Sequence, residues 1–110
     1  MATIGQWIDV TVAKDGTTSA ATDLGGVRDT LLLYVPTIDS ATVAIHVSTA
    51  AAGTYAALKI TNVDGTEEPV LAGASVGGFY WRIPFGFQHF KVVCGAAQSS
   101  AAVTFKAWGL

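Results

Sequence analysis

The sequence predicts an all-β protein: a single antiparallel β-sandwich of about seven to eight strands spanning residues 1–110, with jelly-roll and Ig-like connections both open. Three observations predict it. Apolar residues alternate with period two in segment after segment, and no stretch repeats at helical spacing. Turn residues (Asp-Gly, Gly-Gly, Pro) punctuate the chain at intervals of roughly 10 residues. The length of 110 residues suits one domain, and a chain of this size hides roughly two-thirds of its unfolded surface, enough for one core without staples.

The elements follow in order. Ile8, Val10 and Val12 share one face of a first strand, with Trp7, Asp9 and Thr11 on the other. Lys14-Asp15-Gly16-Thr17 then supplies tight-turn chemistry. Thr30 to Val35 is a near-continuous apolar run, predicting a strand buried on both faces and ended by Pro36. Thr42 to Ser48 alternates with Val43, Ile45 and Val47 inward. Ala51 to Gly53 is a turn, Tyr55 to Val63 a strand, and Asp64-Gly65-Thr66 a second Asp-Gly turn. Pro69 to Ala72 reads as a weak edge strand, because proline cannot donate to a ladder. Gly77-Gly78 opens a strand from Phe79 to Ile83 that Pro84 closes, and Phe85-Gly86-Phe87 is a loop or corner. Phe90, Val92 and Cys94 face inward in the next strand, and Val103, Phe105 and Ala107 in the last.

Composition narrows the function classes. Charged residues make up 13% of the chain, against about 25% in ordinary domains, while 51% are hydrophobic and mean hydropathy is +0.47. Much of that excess is alanine beside Thr, Ser and Gly, which raises hydropathy without adding large core side chains. A net charge of −2 provides no basic footprint, so neither nucleic acid nor an anionic membrane is an expected partner. No apolar run approaches the ~20 residues of a membrane-spanning helix. Met1 to Gly5 lacks the charged and apolar regions of a secretory signal, and a lone Cys94 offers no disulfide framework. Synthesis in a reducing cytoplasm is expected.

Catalytic and metal chemistry find little footing. His46 and His89 are the two histidines, without metal-ligand spacing, and are expected to be solvated or interface residues. Asp15, Asp23, Asp29, Asp39 and Asp64 fall mostly in turns, where aspartate caps backbone N–H groups. Cys94 alternates with Phe90 and Val92, which predicts a buried, inert thiol. Glu67 and Glu68 are adjacent on a strand and point to opposite faces, so they cannot act jointly across one bond. The Gly25-Gly26 and Gly77-Gly78 pairs precede no helix that would cradle a phosphate. No enzyme, metal or cofactor is expected.

Aromatic residues are the remaining candidates. Phe79, Tyr80, Trp81, Phe85, Phe87 and Phe90 crowd a twelve-residue window, and on a strand half of them belong to the core. The other half, with Trp7 and Trp108 opposite their strands' aliphatic rows, would sit on faces that a lone sandwich leaves polar. The candidate interface residues are therefore Trp7, Tyr80, Trp81, Phe85, Phe87 and Trp108. Trp81, Tyr80 or Trp108 could alternatively stack on a sugar.

The order of phrases adds a resemblance. Thr22-Asp23-Leu24-Gly25-Gly26 leads into Thr30-Leu31-Leu32-Leu33-Tyr34-Val35-Pro36. Ala41-Thr42-Val43-Ala44-Ile45-His46-Val47-Ser48 and Gly53-Thr54-Tyr55 follow, and Phe90-Lys91-Val92-Val93-Cys94-Gly95-Ala96-Ala97-Gln98 precedes Ala102-Val103-Thr104-Phe105. This order resembles the small virion structural proteins of tailed bacteriophages over most of the chain. The resemblance implies a non-enzymatic capsid decoration (cement) protein on the outside of a phage head, assembled in the host bacterial cytoplasm. Its implied partners are the major capsid protein or other virion proteins and sister copies in a homotrimer. A tail, baseplate or head-fibre component and a carbohydrate-binding sandwich are the alternatives.

Overall fold

The computed structural model describes residues 7–39, 41–61, 63–65, 67–69, 71–75 and 78–110. Among them lie nine strands and no helix: β1 (Ile8–Val12), β2 (Thr22–Val35), β3 (Ala41–Ser48), β4 (Ala56–Ala57), β5 (Lys59–Thr61), β6 (Glu67–Pro69), β7 (Leu71–Ser75), β8 (Phe79–Cys94) and β9 (Val103–Gly109). The main sheet runs β1-β9-β2-β8-β3-β4, with β7 also paired to β3, while β5 and β6 form a separate pair. Every pairing between these strands is antiparallel. The all-β, antiparallel reading of the sequence is thus what the chain adopts.

Two strands are longer than their sequence suggests. β2 begins at Thr22 rather than Thr30, because Thr22 and Asp23 pair with Phe90 and His89 before the register shifts at Arg28. Leu24 is buried within this early part. β8 runs for 16 residues through Pro84 and the expected corner at Phe85-Gly86-Phe87. Pro84 is tolerated because it pairs opposite Thr30, beside a break in the ladder, and β3 joins the other side of β8 only from His89 onward.

Both long strands change phase midway. In β2 the buried positions go from Thr22 and Leu24 to Leu31, Leu33 and Val35; in β8 they go from Ile83 and Phe85 to Phe90, Val92 and Cys94. Each shift from even to odd numbers, or the reverse, requires an irregularity. Gly25 (φ 80°) and Gly86 (φ 88°) supply backbone conformations there that residues with a Cβ rarely adopt. Through these bulges both halves of each strand turn their apolar residues toward one cluster, which also takes Val10 and Val12 of β1, Val43 and Ile45 of β3, and Phe105 of β9.

The expected strand Tyr55–Val63 is instead divided. Ala56 and Ala57 pair with β3, and the Leu58 N–H still donates to the Ile45 carbonyl at 2.9 Å. From Lys59 the backbone pairs with β6 instead. The weak strand expected over Pro69–Ala72 falls across the end of β6 and the start of β7, with residue 70 outside the described residues. Of the two Asp-Gly turns, the first is closed by the Gly16 N–H donating to the Ala13 carbonyl (2.9 Å). In the second, Asp64 and Gly65 form a turn and Thr66 lies outside the described residues.

Candidate interaction face

The segments β1, β9, the second half of β2 and the first half of β8 lie side by side, and one face of them is turned away from the core. Register defines two rows across it. Asp9 pairs with Lys106, Lys106 with Tyr34, and Tyr34 with Tyr80. In the adjacent row Trp108 pairs with Leu32 and Leu32 with Arg82, while Trp7, one residue before β1, stands beside Trp108. Residues paired across antiparallel strands share a face, so eight side chains of four strands form one surface.

Its aromatic residues touch in a chain. The Trp7 and Trp108 ring centroids are 5.2 Å apart and edge-on at 74°, Trp7 and Tyr80 are 6.1 Å apart at 58°, and Tyr34 and Tyr80 are 4.9 Å apart at 43°. Trp7 is 40% and Tyr80 67% exposed. Trp7, Tyr34, Tyr80 and Lys106 line an open depression of about 390 Å³. The Trp108 indole Nε1 is buried and has no hydrogen-bond partner among the described residues. Lys106 Nζ holds the Asp9 carboxylate at 2.5 Å, and Thr11 and Thr104 share a hydroxyl hydrogen bond of 3.0 Å in the next row. Both contacts are exposed, and such ion pairs contribute little to stability.

Three of the six residues singled out from sequence, Trp7, Tyr80 and Trp108, therefore meet on this face. The other three lie on the opposite side of β8. Trp81, paired with Leu33, and Phe87, paired with Arg28, pack half-buried against the core, and Phe85 is itself a core residue. The Phe85 ring stands perpendicular to Phe90 (5.8 Å, 90°) and near Phe87 (5.9 Å, 68°). Sequence reasoning missed Tyr34, Leu32 and Arg82. It took Thr30–Val35 as buried on both sides, whereas Leu31, Leu33 and Val35 are buried and Leu32 and Tyr34 are half-buried on the outer face. The available signal was the tyrosine itself, whose hydroxyl favours a partly wet position.

Two carboxylates are held by neighbouring hydrogen-bond donors. Asp23 accepts from Gln88 Nε2 (2.8 Å) and the Gly25 N–H (2.7 Å), which hold its carboxyl below the usual carboxylate range. The backbone N–H and hydroxyl of Ser100 do the same for Asp39, at 2.9 and 2.7 Å. Cys94 is buried, which raises its thiol pKa. His89, expected to be solvated or at an interface, is instead buried inside β8 opposite Asp23 and Ser48, with Nδ1 unpartnered among the described residues. No group of three or more metal-ligating side chains converges among the described residues.

Comparisons with known proteins return no matching family, no similar curated protein and no similar solved structure.

Proposed function

We propose that this chain is a non-enzymatic structural protein of a tailed-bacteriophage virion, a capsid decoration protein that binds the outer surface of the head. The observation that carries the reading is the contiguous aromatic surface of Trp7, Trp108, Tyr34 and Tyr80 on the solvent side of the sheet. Covering about 100 Å² of such surface contributes about 2.5 kcal/mol, a gain open to a protein whose charged residues are few. The resemblance in strand and turn order supplies the address: virion proteins and sister copies as partners. The finer architecture belongs to the same reading. The halves of β2 and β8 on either side of their bulges are the two layers of a β-sandwich.

The tilts of the rings favour protein contact over sugar stacking. A sugar-binding platform needs an exposed flat ring, whereas Trp7 meets Trp108 edge-on and Tyr80 leans on both Trp7 and Tyr34. The decisive experiment mixes the purified chain with empty heads of the phage that encodes it and sediments them. Pelleting of the chain with the heads is expected. Its absence at micromolar concentration overturns the reading. Glycan binding by a monomer, lost in Trp7→Ala, would move the assignment to a carbohydrate-binding module.

A further inference from the structure

We infer that the aromatic face pairs with the same face of a second copy of this chain, about a two-fold axis running along the strands. The inference rests on the reading of that face as a protein contact and names its occupant. It favours a two-fold assembly over the trimer that the resemblance suggests.

The face is complementary to itself. From β1 to β8, one row reads Trp7, Trp108, Leu32, Arg82, and the next reads Asp9, Lys106, Tyr34, Tyr80. A two-fold axis between β9 and β2, along the strands, lays each row on itself in reverse order. Trp7 then meets Arg82 of the second copy, and Trp108 meets Leu32. In the other row Asp9 meets Tyr80, and Lys106 meets Tyr34. Every one of these pairs is chemically matched. A guanidinium lies on an indole and an ammonium on a phenol ring, a phenolic O–H donates to a carboxylate, and an indole packs on a leucine.

No like charges face one another, and both cations, Arg82 and Lys106, find aromatic rings. The other in-plane axis, across the strands, sets Lys106 on Trp108, Leu32 on Tyr34 and Arg82 on Tyr80, but it also sets the Asp9 carboxylate on the Trp7 indole, a mismatch that the axis along the strands avoids. Sheets packed face to face cross at about −30°, which the long Arg82 and Lys106 side chains can span. Such a contact is isologous, the same patch serving both subunits.

The patch also sets the strength. Four strands about 4.8 Å apart and two rows about 6.8 Å apart cover on the order of 300 Å². That is less than the roughly 800 Å² per partner of a standard interface. The dimer is therefore a weak, reversible one.

Sedimentation velocity of the full chain, from low to high micromolar concentration, tests the inference. The expected result is a concentration-dependent shift from the mass of one chain to that of two. Tyr80→Glu, which sets a carboxylate against Asp9, should raise the dissociation constant at least tenfold. Arg82→Ala removes a side chain exposed to solvent and should weaken pairing while leaving the thermal melt unchanged. A monomer at every concentration, a trimer, or variants that pair like the wild type would overturn the inference. Failure of the decoration reading looks different: a wild-type dimer that does not pellet with heads overturns that reading and leaves the two-fold face standing. A monomer whose pelleting is lost in Tyr80→Glu assigns the face to the capsid and overturns the dimer.

Discussion

Gln98 and Asp39, 59 residues apart, hold each other through a two-way hydrogen bond: Gln98 Oε1 accepts from the Asp39 N–H at 2.8 Å, and Gln98 Nε2 donates to the Asp39 carbonyl at 3.2 Å. Nε2 also donates to the Ala96 carbonyl at 3.2 Å, and the Gln98 side chain is fully buried. The Gln98 backbone reaches a third segment, its N–H donating to the Gly16 carbonyl and its carbonyl accepting from Asp15. One amide side chain thus satisfies backbone groups of the loops before β3 and β9 where no strand ladder can, while the backbone of the same residue fastens the turn after β1 to them.

Gln98→Leu keeps the volume and removes the hydrogen-bonding groups. The Asp39 N–H and carbonyl are then left without that partner, so a loss of about 2 to 4 kcal/mol in unfolding free energy is expected. Urea denaturation measures it. A loss under about 0.5 kcal/mol, the range of ordinary surface substitutions, would show that water replaces the amide without cost.

The carboxylates of Asp23 and Asp39 give the fold an acid-sensitive component. Hydrogen bonds to the charged forms lower both pKa values in the folded chain. Their stabilisation is therefore fully present above the unfolded value, about 3.9, and is lost as pH falls through the lower folded values. Thermal melts should be insensitive to these two groups near neutrality and decline below about pH 4. Ser100→Ala removes one donor to Asp39 and should make that decline shallower. An unchanged acid limb would show that Asp39 does not contribute to it.

What was legible in the sequence follows the period-two signal. β1, β3 and β9 are short enough to keep one phase, and their inward residues are those that alternation marks: Val10 and Val12, Val43, Ile45 and Val47, Phe105 and Ala107. β2 and β8 were misread because each changes phase at a bulge, where alternation breaks and Gly or Pro imitates a strand end. The face was half legible for the same reason. Trp108 lies on a strand of constant phase and Trp7 directly precedes one. Phe85 and Trp81 lie on β8, where choosing the inward side requires knowing that Ile83 and Phe90 belong to one strand with a bulge between them. Arg82 and Lys106 carried no signal, since isolated charges on a strand read as ordinary solvent-facing residues.

The β8 bulge can be tested directly at Gly86. A Cβ there would meet nothing within 4 Å, yet φ is 88°. Gly86→Ala therefore adds no clash and isolates the backbone term, for which a loss of about 1 to 2 kcal/mol is expected. A melting temperature equal to the wild type's would show that the strand can change phase without this conformation.

Gly109 presents the opposite case, in which space decides. A Cβ on Gly109 would lie 2.5 Å from Arg28 Cγ and 3.2 Å from Arg28 Cβ and Cδ. Arg28 cannot simply swing away, because its guanidinium donates to the Leu24 carbonyl at 3.1 Å across the β2 bulge. The Leu110 backbone beside it also exchanges hydrogen bonds with Asp29 and Thr30. Gly109→Ala should cost about 1 to 3 kcal/mol by overpacking. Arg28→Ala alone should cost less, since Arg28 is only half-buried and gives up one hydrogen bond. In the double variant the Cγ and Cδ contacts are gone while the Cβ contact stays, so the two losses should sum to more than the double variant shows, by at least 0.5 kcal/mol as for residues in contact. Strict additivity in chemical denaturation would mean that the end of β9 and the β2 bulge do not press on each other.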